Sequence, residues 1–183
     1  AVPQDTAKTE TSHQHDHNNK EYRKMFMRLS TLILFTCLAA SPLQADMVYI
    51  QADRDATLIE DPDGAYANGI GPALFAGSTD KSGVRRALIR FDVAGALPEN
   101  ALIDRAFVSL YQTSGSNTDS HLVSLHRVLQ DWSEGTAYSS GGGGAPASEG
   151  DVTWLHTNYE MEYWVKEGGH FIANDSSSEM VGD

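Results

Sequence analysis

Two alternating apolar runs constrain this chain more than any other feature: V-R-R-A-L-I-R-F-D-V at residues 84–93 and R-A-F-V-S-L-Y at residues 105–111. Successive side chains on a strand point to opposite faces, so each run offers one apolar face to a core. In the first run Ala87, Ile89, Phe91 and Val93 alternate with Arg86, Leu88, Arg90 and Asp92. In the second, Ala106, Val108 and Leu110 alternate with Arg105, Phe107, Ser109 and Tyr111. A period of two argues against a helix in either run. The expectation is two strands joined by a polar connection carrying Pro98 and Asn100.

The remaining chain supplies short runs of the same kind. Val48, Ile50, Ala56 and Leu58 predict one or two opening strands over 47–59, and D-P-D-G at 61–64 predicts a turn, since Pro presets one dihedral and Gly accepts positive φ. Further strands are expected at 73–76, at 121–129 with a bulge near Val128, and at 152–155. Polar loops are expected at 77–83 and 114–120, a flexible glycine-rich insertion at 139–150, and one helical turn at 158–165. Residues 168–172 read as the start of another strand, and 174–183 as a polar, patternless, disordered tail. Short strands between Gly, Ser and Asp turns, without helical periodicity, define an all-β chain.

The N-terminal part reads differently. Residues 1–24 are polar and nearly free of apolar side chains, and read as a disordered or mis-annotated upstream segment; His13, His15 and His17 alternate there, the pattern of a metal-binding tract. Residues 25–45 carry a short basic start, an apolar run from Leu29 to Ala40, and Pro42 ahead of Ala45. That is the pattern of a secretory signal peptide cleaved near Ala45, with an apolar run too short to span a bilayer. The mature domain is then expected at 46–173, without a transmembrane segment, and the protein secreted or at the cell surface. Cys37, the single cysteine, lies in the signal, so no intrachain disulfide can form. The formal net charge is -12, which argues against nucleic acid as a partner. Five of the 13 Lys and Arg and four of the 25 Asp and Glu precede residue 46, so the remainder is about one charge more acidic still.

R-R-A-L-I-R-F-D-V, the following L-P and A-F-V-S-L, then D-W-S-E-G-T at 131–136 and D-V-T-W at 151–154 together resemble the DNRLRE-domain family. The resemblance covers roughly residues 52–154; the literal string D-N-R-L-R-E is absent. It implies a jelly-roll β-sandwich acting as a non-catalytic carbohydrate-binding module, some members of the family binding alginate. A jelly roll uses about eight strands. The six or seven legible before residue 156 make the expected sandwich incomplete at the C-terminus.

The candidate chemistry follows from these readings. No G-x-S-x-G, mature cysteine or Ser/His/Asp spacing supports nucleophilic catalysis. A polysaccharide ligand, an acidic one in particular, would use aromatic faces for sugar C–H surfaces and Arg for carboxylate. Arg86, Arg90, Tyr111 and His126 fall on the expected non-core faces of their strands, and Tyr159 and Trp164 lie beyond the glycine-rich segment, so these six are the candidate contacts. Trp132 and Trp154 read as core. Asp53, Asp55, Asp61 and Asp63 cluster around a turn and are the candidate ligands for calcium, a cation that takes carboxylate and backbone oxygens. A solvated acidic loop, and Arg86 and Arg90 paired to nearby carboxylates, are the plainer readings of the same residues. Two other functions fit the composition: a calcium-stabilised adhesive module, and a polysaccharide lyase in which His126, Tyr111 and Arg90 converge.

Overall fold

A computed structural model of the chain describes residues 46–78, 83–114 and 120–182, so the expected upstream segment and signal peptide lie outside the described residues. The alternation at 84–93 does become a strand. β4 (Val84–Arg90) is the centre of a three-stranded antiparallel sheet, flanked by β1 (Arg54–Ile59) and by β3 (Gly77–Ser78). The β1–β4 register sets Arg54 opposite Arg90, Ala56 opposite Leu88 and Leu58 opposite Arg86. Asp92 then accepts from the Gly95 N–H and caps the single turn of α1 (Val93–Ala96), which ends the extended run three residues early.

The other ladders are two-stranded. β2 (Tyr66–Ala67) pairs with β6 (Ala145–Pro146), and β5 (His121–Leu125) with β9 (Ser177–Val181). β7 (His156–Asn158) pairs with β8 (Glu162–Tyr163). Strands and turns with one helical turn make the described residues all-β, and residues Val48–Asp183 form one compact unit.

The core inverts the expected face of β4. Ala56, Leu58, Leu88, Trp132, Val152, Trp154 and Trp164 form one buried cluster with Val84 packed against it, so the face carrying Val84, Arg86 and Leu88 turns inward, while Arg90 at the strand end stays exposed. Ala87 and Ile89 are only half-buried. Three tryptophans from separate stretches outweigh the small side chains on the strand, and the guanidinium of Arg86 lies over the Trp154 ring instead of interrupting the core.

The opposite face of the sheet is buried at Thr57, Ile59 and Arg85. Thr57 Oγ1 accepts from the Phe75 N–H (3.1 Å), the buried Arg85 donates through Nε to the Gly142 carbonyl, and Gly144 sits directly on the Ile59 side chain. The glycine-rich segment at 139–150 is therefore a docked cover and not a free insertion. Its missing side chains are what let it lie against Ile59 and Phe75.

The two tryptophan motifs form a clasp around Asp151, which is 0% exposed. Its Oδ1 accepts from the N–H of Thr136 (2.7 Å) and Ala137 (3.0 Å). Its Oδ2 accepts from the Ser148 N–H (2.8 Å) and Oγ–H (3.1 Å). Gly135 has φ +77, and a Cβ there would fall on the Asp151 carboxylate, so the motif needs glycine at that position. Glu134 accepts the Asp55 N–H (2.9 Å), Ser133 bonds the Thr157 carbonyl, and Trp132 fills the core.

Several expectations about elements are corrected; the strand expected at 152–155, for one, gives way to β7 directly after it. Residues 105–111 lie in no ladder and are exposed throughout 101–114. Alternation specifies a face but not a hydrogen-bonding partner, and β4 already has β1 along its length and β3 at its start. Residues 158–165 form the β7–β8 hairpin, turning at Glu160 (φ 59), and not a helical turn. The expected strand at 73–76 gives way to β3 just beyond it. The tail at 174–183 includes β9, whose polar side chains are mostly exposed and give no apolar signal.

Candidate functional site

The sheet register places Arg86 beside the core, and the chain then wraps its guanidinium. The Gly168 N–H donates to the Trp154 carbonyl (2.8 Å), which fixes a turn through two positive-φ glycines, Gly168 and Gly169. That turn returns the chain as Phe171, bridged to Val128 and held by Leu129 N–H to His170 O (2.8 Å) and Ile172 N–H to Arg127 O (3.0 Å). Arg86 Cζ consequently lies 4.8 Å from the Trp154 ring centre and 5.2 Å from that of Phe171, while Nη1 donates to the Gly168 carbonyl (2.5 Å). Burial holds this guanidinium below its ordinary pKa, with Glu60 acting the other way.

Two more basic side chains share the Phe171 ring. The His126 ring centre is 5.1 Å from it, with Nδ1 3.0 Å from the Ile172 carbonyl, and Lys166 Nζ is 6.0 Å away. Cations over an aromatic face gain from its quadrupole. The result is two formal positive charges and an imidazole around one phenyl ring in a strongly acidic chain. The arrangement can offer a half-buried aromatic ring together with donors for an anion. Arg86 and His126 were legible in advance; Lys166, Gly168 and Phe171 were not, although a glycine pair running into an aromatic was there to be read.

The other four expected contacts lie elsewhere. Arg90 forks onto both carboxylate oxygens of Asp53, and Arg54 Nη1 meets Asp131 Oδ1 (3.1 Å) above the Trp132 ring. The Arg90 hydrogen bond keeps the Asp53 carboxyl below its usual range. This strip is neutralised in place, which is the plainer reading of Arg90. Tyr111 is 90% exposed in the unpaired 101–114 segment. Tyr159 packs edge-on against the buried His156, whose imidazole burial holds below its ordinary pKa. Trp164 is a correction: it is 6% exposed, donates Nε1–H to the Thr153 carbonyl (3.0 Å) and belongs to the core, so it offers no face to a sugar. His126, Tyr111 and Arg90 thus have three separate sets of neighbours.

The four aspartates do not converge either. Asp53 and Asp55 lie at the start of β1, whereas Asp61 and Asp63 follow its end, so at least about 13 Å of strand separates the two pairs at the usual rise. Asp61 Oδ1 accepts from the N–H of Asp63 (3.1 Å) and Ala65 (3.0 Å), the hydrogen bonds of a turn former. Among the described residues no group of three His, Cys, Asp or Glu is placed to hold a metal ion.

Asp55 has a different consequence. Burial, and then Glu134, raise its carboxyl pKa. A raised acid favours the folded state only once protonated, so its charged form costs stability at neutral pH and the cost fades as pH falls through the raised value. Asp55→Asn should therefore raise the melting temperature slightly at pH 7, with the difference from wild type vanishing on acidification below the carboxylate range. Calorimetric melts across pH test this; a variant less stable at pH 7 would refute it.

No family model, curated protein or solved structure matches the chain. Fold and site together define an all-β protein of small sheets with a basic-aromatic cluster on its surface. Among the described residues no helix is long and apolar enough to cross a membrane.

Proposed function

We propose that the chain is a secreted, non-catalytic carbohydrate-binding domain of the jelly-roll β-sandwich kind, with an acidic polysaccharide as its ligand. The observation that carries this reading is the gathering of Arg86, Lys166 and His126 around Phe171. An aromatic ring face takes the apolar C–H surface of a pyranose, and neighbouring cations fix its carboxylate. With so acidic a background, a local basic patch is a means of selecting an anionic partner at short range.

Titration of the protein with polygalacturonate, beside a neutral glucan, tests this reading. Binding is expected for the uronate polymer, weakening with added salt. Lys166→Ala, at an exposed position, should reduce affinity by about tenfold, the worth of one charge-assisted contact. Equal affinity for the neutral glucan, or an unchanged constant in the Lys166→Ala variant, would defeat it.

A further inference from the structure

We infer that Gly168 is a positioning residue, one whose backbone and missing side chain lock the Arg86 guanidinium in its slot so that its charge is set before any ligand arrives. This deepens the acidic-polysaccharide reading and rests on it for the ligand, though not for the lock itself. Three observations converge on it. The Gly168 carbonyl accepts from Arg86 Nη1, while the Gly168 N–H is anchored to the Trp154 carbonyl. A Cβ at residue 168 would lie 2.5 Å from Arg86 Nη1 and 2.6 Å from Trp154 Cζ2. The residue has φ +74, a conformation that side chains of L-residues rarely adopt.

The three possible responses to an added side chain are unequal. Trp154 is buried in the core and cannot swing away, and the backbone is tied at both its N–H and its C=O. Arg86 is the one neighbour with a flexible stem and solvent nearby. A methyl group at 168 therefore evicts the guanidinium and leaves Phe171, bridged through Val128, in place. Pre-organisation matters because an arginine already stacked and hydrogen-bonded loses little rotamer freedom on binding.

The test compares wild type, Gly168→Ala and Gly168→Asn, since Asn tolerates positive φ best among residues with a side chain and guards against a variant that fails to fold. The ligand-free readout is the Arg86 side-chain Nε–H resonance, assigned by its loss in Arg86→Lys. In a folded Gly168 variant it should move toward the position of free arginine and exchange faster with water, and polygalacturonate affinity should fall by about tenfold. An Arg86 resonance unmoved in both variants overturns the inference, as does a moved resonance with undiminished affinity. A moved resonance in a protein whose wild type ignores polygalacturonate upholds the lock and sinks the proposed ligand instead.

Discussion

Asp151→Ala is expected to lower the unfolding free energy by about 3 kcal/mol or more, because hydrogen bonds to a charged acceptor contribute about 1.5–3 kcal/mol each and buried donors would be left unpaired. The carboxylate is fully buried and takes four hydrogen bonds, joining the turn at Thr136 and Ala137 to Ser148. Asp151→Asn keeps the Oδ1 acceptor but turns an amide donor toward the Ser148 N–H, so it should recover only part of the loss. Gly135→Ala strikes the same clasp from the other side, adding a Cβ against the carboxylate and strain of about 1–2 kcal/mol at φ +77. The double variant should lose clearly less than the sum of the two, since removing Asp151 removes the clash. Chemical denaturation of the four proteins measures this. Additive losses would mean that the clasp is not a unit.

That clasp also explains why the two tryptophan motifs say little about a ligand. Every polar group of D-W-S-E-G-T that the structure pairs is spent internally: Asp131 on Arg54, Ser133 on Thr157, Glu134 on Asp55, Thr136 on Asp151. In D-V-T-W the Thr153 hydroxyl accepts from the N–H of His156 (3.0 Å) and meets its Nδ1 (2.9 Å), and Trp154 backs Arg86. A motif that specifies folding can accompany any binding site built on the same frame.

What was legible in the sequence was local. The strand at β4, the opening strand at β1, the D-P-D-G turn and the burial of Trp132 and Trp154 follow from period, turn chemistry and size. What was not legible depended on distant partners. The inward face of β4 is chosen by tryptophans at 132, 154 and 164, which alternation within the strand cannot see. The glycine-rich stretch has no side chains to announce what it covers, and only its contacts with Ile59, Phe75 and Arg85 reveal a lid on the sheet. The Phe171 cluster gathers residues more than 80 positions apart through backbone bonds at Gly168 and Phe171. Such a site leaves no spacing in the sequence to count.

The remaining large effect distinguishes packing from binding at the most prominent aromatic of those motifs. Trp132 is 6% exposed, packs with Leu88, Ala56 and Val152 in the core cluster, and lies under the Arg54 guanidinium at 5.3 Å. Its own carbonyl accepts from Arg54 as well, so side chain and backbone fix the same corner. Truncating a buried Trp to Ala removes its transfer free energy and leaves a cavity, together about 3–5 kcal/mol, against about 5–15 kcal/mol for a whole domain. Trp132→Ala should therefore melt far below the wild type, or fail to fold, while Trp132→Phe should recover a large share by filling part of the space. Glycan affinity, measured on whatever fraction of Trp132→Phe is folded, should match wild type, since the ring is buried in the core. A Trp132→Ala protein of near-normal stability that no longer binds polygalacturonate would instead make this residue a sugar platform, and would move the binding site from Phe171 to the Arg54 corner.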